Sequence, residues 1–506
     1  MQKHKSASIT KNTLFLYIRM LFTLSTSLFT SRVILDSLGV EDYGIYNVVG
    51  GFVLMFNVFC AGLSTTTQRF LSYDLGKGDE TELNETFSAC VHIFLVMSLL
   101  IVLLAEIGGI WFLENKLVIP SNRMTAAKYV FQFSLCTLVF SLISVPYNAL
   151  IIVHEKMKAF AYISVLEVAA KLIIAYLIYL CPVDKLIVYA ILLAIIQLFI
   201  RIVYTKYCQR NFNESHISWH FNIKKIKQIY SFAGWAMFGG LASIGFTQGL
   251  NILLNIFFGP TVNSARAIAV QIQNAINSFV LNFQTAINPR IIKAYAEEQK
   301  PYMFQLVFAS SKFSFILIYA LSLPIILETH QILTLWLKSV PDNTETFIRI
   351  IILTSMVDAM ANPFMRTADA TGKIKTYQLT IGTLLLSIVP VSYLLLKCGM
   401  PPYSVFIVHL GITIVAFMAR LYIVKTLVNY SIKSYIKLVV IKVCIVTSLS
   451  TIIPFICLKL MEENVCRLII TTTSSLIMVG ITTYIFALTQ SEKTIINQKL
   501  KRICLQ

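Results

Sequence analysis

The sequence predicts an all-α polytopic membrane protein. About 14 transmembrane helices are expected, as two six-helix lobes related by a parallel pseudo-two-fold repeat plus two appended C-terminal helices. Three observations predict it. With 57% hydrophobic and 13% charged residues and a mean hydropathy of +0.74, a chain of 506 residues has far too little polar surface to be solvated by water. Apolar runs of roughly 20 residues, the length that crosses a bilayer as a helix, recur from end to end. Finally, two stretches read as copies at an offset of 217: Val145-Pro146-Tyr147 through Lys156-Met157-Lys158-Ala159-Phe160, and Asn362-Pro363-Phe364 through Lys373-Ile374-Lys375-Thr376-Tyr377. Internal repeats of this size in an apolar chain mark a secondary transporter, with the substrate site expected where the halves face each other.

The first lobe, 1–210, takes spans 12–36, 43–68, 86–112, 127–153, 159–180 and 184–206. A basic segment, Met1 to Lys11, precedes the first span and superficially resembles a signal peptide, but Arg19 interrupts the apolar run and no small-residue cleavage site follows, so the span is read as retained. The second span carries Gly50-Gly51, and the fourth carries Pro146 near its inner end before a basic turn. The second lobe, 211–430, takes spans 226–258, 262–289, 305–337, 346–370, 374–397 and 402–425. Its first span holds Gly239-Gly240 and its fourth holds Pro363, so glycine pair and proline each recur as candidate points of close approach or bending. A second set of matches, Gly39, Asn57 and Gln68-Arg69 against Gly259, Asn277 and Pro289-Arg290, supports the duplication at offsets of 220 and 221. Equivalent positions are separated by an even number of spans, so the copies share one orientation. The region 431–506 adds spans 434–458 and 465–489, which have no partner in the repeat, and a cytoplasmic tail. The polar connections near Asp74–Glu80 and Gln209–Lys227 are too short to fold alone.

The net charge of +18 does not point to nucleic acid. With a cytoplasmic N-terminus and every span crossing, about 30 of the basic residues fall on the cytoplasmic side and about 11 outside, which is the positive-inside rule. The densest inner cluster, Arg201, Lys206, Arg210, Lys224, Lys225 and Lys227, reads as a topology signal in contact with anionic lipid. Ten cysteines are scattered singly with no CxxC pair, and seven histidines form no HExxH, so neither metal, cofactor nor disulfide framework is called for.

The strongest polar signal lies in span 262–289. At roughly 100° per residue, Arg266, Gln273, Asn277, Gln284 and Asn288 share an arc of roughly 60°, and Gln271, Asn274, Ser278, Asn282 and Thr285 occupy the adjoining one. Gln248 and Asn251 in span seven and Asn57 in span two add to it. One reading is a wet cavity whose amides bond a polyhydroxylated substrate; the other is interhelical glue. Ionisable groups at membrane depth cost at least ~2.5–3.5 kcal/mol each and need a partner, an interface or water. Glu167 stands four residues before Lys171, and Asp36 four after Arg32, so each pair can neutralise itself on one helix face. Arg19 and Arg266 have no opposite charge at helical spacing and are candidates for meeting an anionic ligand such as a pyrophosphate, a role Arg32 can share. Asp36 and Asp358 are the candidate carboxylates for a coupling ion.

The opening run Asn12-Thr13-Leu14 through Ser31-Arg32-Val33-Ile34-Leu35, followed by Leu38-Gly39-Val40-Glu41-Asp42-Tyr43-Gly44-Ile45-Tyr46, resembles the start of Wzx-type polysaccharide-biosynthesis membrane proteins. These belong to the multidrug/oligosaccharidyl-lipid/polysaccharide exporter superfamily, which includes the MATE transporters. The resemblance implies a flippase that moves an undecaprenyl-pyrophosphate-linked oligosaccharide, an O-antigen or capsule repeat unit, across the bacterial inner membrane, with both termini cytoplasmic. It implies membrane lipids, polysaccharide polymerase and chain-length machinery as partners, and a cationic cavity that maps here onto Arg19, Arg32 and Arg266. The rivals are a MATE-type drug/cation antiporter, which needs a carboxylate-rich and aromatic cavity, and a lipid II flippase. A membrane glycosyltransferase would need acid/base residues on outward loops, and the outward loops near Glu114–Arg123 and Lys338–Glu345 are short, so no enzyme is expected.

Overall fold

The computed structural model of the protein describes residues 2–54, 56–115, 119–218, 222–337, 340–490 and 492–494. Its elements are helices: α1 (Gln2–Leu54), α2 (Asn57–Lys77), α3 (Glu80–Asn115), α4 (Met124–Val153), α5 (Met157–Tyr179), α6 (Lys185–Asn211), α7 (Ile223–Phe258), α8 (Pro260–Ala296), α9 (Lys300–Leu327), α10 (Thr329–Trp336), α11 (Thr344–Thr371), α12 (Lys375–Lys397), α13 (Ser404–Val428), α14 (Ile432–Tyr435), α15 (Ile441–Leu460) and α16 (Val465–Thr482). Eleven helical stretches among the described residues are long and apolar enough to cross a membrane. The expected spans outside these eleven fall on α1, α2 and α8, and α8 is the helix that carries the polar arcs. Many large apolar side chains point outward, Ile107 (77% exposed), Ile173 and Leu394 among them. Water would penalise such a surface; hydrocarbon does not.

The chain divides into two compact units, 8–240 and 241–506 with the first seven residues. Within the first, α4 is the central helix and packs on α2, α3 and α6. Within the second, α11 takes the same part against α8, α9 and α13. Each central helix contains the repeated proline, Pro146 or Pro363.

The duplication is visible in the backbone. Gly39 interrupts α1 at φ 80°, ψ 169°, and its counterpart Gly259 precedes α8 at φ 77°, ψ −172°. That region of conformational space admits essentially only glycine, because a Cβ would strike the backbone. The turn after α2 places Gly78 at φ 76°, and its counterpart Glu298 stands at φ 58°. The turn after α4 places Glu155 at φ 58°, and Gly372 answers it at φ 75°. The halves also differ: α8 runs unbroken, whereas in the equivalent stretch of the first half α1 ends at Leu54 and α2 begins at Asn57. The Gly50-Gly51 pair just before this break weakens helix by about 1 kcal/mol per glycine. Among the described residues a Cβ at Gly50 or Gly51 would meet nothing within 4 Å, whereas at Gly62 a Cβ would lie 2.7 Å from Met237.

Polar clusters close both ends of the first unit. At one end Arg123 binds Asp42 (Nε to Oδ1, 2.8 Å) and Asp184 (Nη1 to Oδ2, 2.7 Å), joining α1 to the α3–α4 and α5–α6 connections through one guanidinium. At the other, Lys225 reaches the buried Asp74 at 2.8 Å and Glu82 at 2.9 Å, so this member of the basic cluster is a buried structural partner rather than a surface charge. The segment between α6 and α7 is strapped to α3: Asn84 donates to the carbonyls of Glu214 and His216, Ser218 N–H donates to Ser88, and Asn222 donates to Glu85. His154 bonds Glu214 and stacks on Phe212, with centroids 4.2 Å apart.

The two C-terminal helices dock on α9. Arg467 of α16 forms a two-pronged pair with the buried Glu328 at 3.0 and 2.8 Å, and Thr471 donates to the same carboxylate. Lys312, buried on α9, donates to the Ala487 carbonyl at 2.9 Å and to Glu492 at 3.2 Å. Between them Tyr319 donates to the Thr447 carbonyl at 3.0 Å.

Asp184 caps α6 by accepting from the N–H groups of Leu186 and Ile187. Burial pushes its carboxyl up, but Arg123 and these amides outweigh burial and hold it below the usual aspartate value. A depressed carboxyl contributes stability that is present at neutral pH and is lost as pH falls through the folded-state value. The melting-temperature difference between wild type and Asp184→Asn should therefore be constant from pH 7 to 5 and shrink below about pH 4. A difference independent of pH would show that the charge on Asp184 is immaterial.

Candidate functional site

The residues singled out from the sequence fall in both units. In the first, Arg19 of α1 stacks on Phe160 at the start of α5, 4.5 Å from the ring centroid. Asp36 is exposed. The side chains of Arg32 and Asn57 lie outside the described residues. Lys171 reaches Glu167 at 2.6 Å, so this pair neutralises itself on α5 as its spacing led us to expect.

In the second unit the two arcs of α8 have different surroundings. Arg266 donates to the Asn251 side-chain oxygen at 3.2 Å and to the Thr247 carbonyl at 2.9 Å, both on α7. Gln273 donates to Ser355 of α11 at 2.7 Å. Gln284 donates to Ser314 of α9 at 3.0 Å and to the Ala359 carbonyl of α11 at 3.2 Å, and accepts from Asn362 at 3.4 Å. Asn277 and Asn288, of the same arc, are half-buried. On the adjoining arc Gln271 and Asn274 are exposed, as is Gln248 of α7. Ser278, Asn282 and Thr285 return their side chains to carbonyls four residues earlier, which satisfies their donors within the helix. Gln273 and Gln284 thus bond helix to helix, while Gln271, Asn274 and Gln248 present amides outward.

The Gln284 bond has a specific cause. Pro363 lacks an N–H, so the carbonyl four residues before it, that of Ala359, loses its helical donor. A neighbouring helix must supply one where no water is available. Gln284 does so.

A charged group near the polar helix was missed. Arg420 of α13 is buried, and its Nη1 lies 3.5 Å from Asp358 of α11, whose side chain is 42% exposed. Sequence spacing could not pair them, although an arginine within an apolar span is itself a signal of function or pairing. His409, also on α13, packs on Phe246 at 5.0 Å and lies within electrostatic reach of both Asp358 and Arg266.

The charges also separate by partner. Arg123, Arg420 and Arg467 each face a carboxylate. Among the described residues Arg266 faces only neutral acceptors, and its buried Nε has no hydrogen-bond partner. Its positive charge is held in place but not neutralised.

Removing Gln284 should cost about 1 kcal/mol or somewhat more, because the Ala359 carbonyl is left without a donor. In a double-mutant cycle the cost of Gln284→Leu should fall once Pro363→Ala restores the backbone N–H at position 363. Equal costs in both backgrounds, read from unfolding in detergent, would refute the assignment.

Comparison with known proteins agrees with this architecture. The family model described as polysaccharide biosynthesis protein matches residues 9–295. No match was found among curated proteins. Among solved structures, the crystal structure of a MATE point mutant is similar at 16% identity with a TM-score of 0.69, over 83% of this chain and 97% of that one. An outward-facing multidrug resistance MATE transporter of the MOP superfamily gives 16% and 0.68, over 83% and 96%. A MOP superfamily transporter from Pyrococcus furiosus, described as having a binding pocket of reverse polarity, gives 17% and 0.65, over 84% and 97%. The protein has the MATE transporter fold, and with more than half its length matched it belongs to the Wzx-type polysaccharide biosynthesis protein family.

Proposed function

We propose that the protein is a flippase that translocates an undecaprenyl-pyrophosphate-linked oligosaccharide, an O-antigen or capsular repeat unit, across the bacterial inner membrane by alternating access of its two lobes. The observation that carries the reading is Arg266. A guanidinium fixed by two neutral acceptors on the polar helix α8 keeps an unbalanced positive charge, and it suits a pyrophosphate through paired N–H donors. An organic cation would be repelled there. The outward amides Gln271, Asn274 and Gln248 suit a sugar chain, which offers hydroxyls to both halves of each amide. Asp358, exposed beside the buried Arg420, is the carboxylate on which a coupling proton or sodium ion would act, with Asp36 as the second candidate. In this reading both termini are cytoplasmic and lipid-linked sugar, polymerase and chain-length machinery are the partners. The drug/cation antiporter alternative rests on the shared fold alone.

Deleting the gene in its host and assaying the leaflet accessibility of the lipid-linked intermediates tests this directly. A complete repeat unit should accumulate on the cytoplasmic leaflet while surface polysaccharide is lost. Normal polysaccharide with altered resistance to cationic drugs would move the protein to the antiporter branch. In complementation, Arg266→Ala and Arg19→Ala should each lower surface polysaccharide at least about tenfold at unchanged protein level, the loss of one charge-assisted contact. Glu167→Gln combined with Lys171→Gln should complement fully. Wild-type polysaccharide in both arginine variants would refute the cationic site.

A further inference from the structure

The repeated basic turn, Lys156 and Lys158 in the first half, is not used by the transport reading. It borders an open cavity of about 390 Å³ where α4 hands over to α5, lined by Lys156, Lys158, Ala159, Tyr162, Ile163 and Tyr207. The lining has two chemistries. Lys156 and Lys158 are exposed and bring two ammonium groups to its edge, Tyr162 and Tyr207 bring two phenols, the Lys158 ammonium lies 5.6 Å from the Tyr162 ring centroid, and most of the wall itself is apolar, with Ala159 and the buried Ile163 part of it. From Tyr162 an exposed apolar stripe continues along α5 at helical spacing through Leu166, Ile173 and Leu177. Beside it α6 exposes Leu198, Phe199 and Ile202. Exposed lysines beside a mostly apolar, tyrosine-bearing cavity, with an apolar stripe running on from Tyr162, match the chemistry of an anionic head on an acyl chain.

We propose that this cavity is a binding site for the phosphate head of an anionic phospholipid, with its acyl chains lying along the exposed stripe of α5 and α6. The lysines neutralise the phosphate, and the tyrosine hydroxyls donate to its oxygens or to the glycerol. The second half supplies an internal control. Lys373 and Lys375 repeat the basic pair, but the positions equivalent to Tyr162 and Tyr207 are Leu379 and Val424. Basic charge at a helix end is thus present twice, and the tyrosine-lined cavity belongs to the first copy. Which leaflet the lipid occupies follows from the topology proposed above, the cytoplasmic one; the binding itself does not depend on that reading.

The test uses purified full-length protein in nanodiscs of phosphatidylcholine containing graded phosphatidylglycerol, with bound lipid counted by native mass spectrometry. Lys156→Gln combined with Lys158→Gln should weaken the first phosphatidylglycerol about thirtyfold, the loss of two basic contacts. Tyr162→Leu should weaken it without altering charge. Lys373→Gln combined with Lys375→Gln removes the same charge and should leave affinity within about twofold of wild type. Equal loss in both lysine pairs would reduce the effect to net charge and overturn the site, as would no loss in either. Displacement of the lipid by millimolar glycerol phosphate would overturn it in favour of a soluble phosphate ligand. No transport is measured, so a failure here is separate from a failure of the flippase reading.

Discussion

A proline inside a membrane helix leaves one carbonyl without a donor, and the hydrocarbon around it has none to offer. The central helix of the second unit depends on how that deficit is met. Gln284 of α8 fills it at the Ala359 carbonyl while also bonding Ser314 of α9 and accepting from Asn362, so three helices meet at one amide. Ser311 adds a bond to the neighbouring Met360 carbonyl and to Tyr435. The bend-permitting residue of α11 is therefore held by polar contacts that are strong because no water competes for them. The rest of the unit is arranged around a helix stabilised in this way.

The same economy of charge runs through the molecule. Lys225 with Asp74 and Glu82, Arg123 with Asp42 and Asp184, and Arg467 with Glu328 are compensated sets that fasten helix ends. Against this background an arginine given only neutral acceptors stands out. A folded membrane protein does not retain an unbalanced charge for stability, since replacing it by an apolar residue would be less costly. We therefore propose Arg266 as the contact for an anionic ligand.

Helical periodicity made the fold legible: apolar runs predicted most spans, and the repeat offsets near 217 and 220 were carried through to matching backbone angles at Gly39 and Gly259. The Glu167–Lys171 pair was legible because its partners share one turn spacing. What was illegible depends on long-range approach. Arg420 meets a carboxylate 62 positions away, Arg467 one 139 positions away, and the carbonyl that engages Gln284 lies 75 positions from it. Periodicity grouped Gln273 and Gln284 on one arc of α8 correctly, but it carries no information on which neighbour an arc faces, so helix-bonding amides and outward amides looked alike.

The docking of the last two helices makes them part of what holds the second unit together. Lys312 is buried on α9 and Glu328 just past its end, yet their counter-charges and carbonyl acceptors lie in α16 and the segment after it. A chain cut after α13 would keep both side chains and lose those partners, in surroundings where hydrocarbon supplies no others. Truncation at that point would therefore remove more than two helices: it would unbalance the helix they cover.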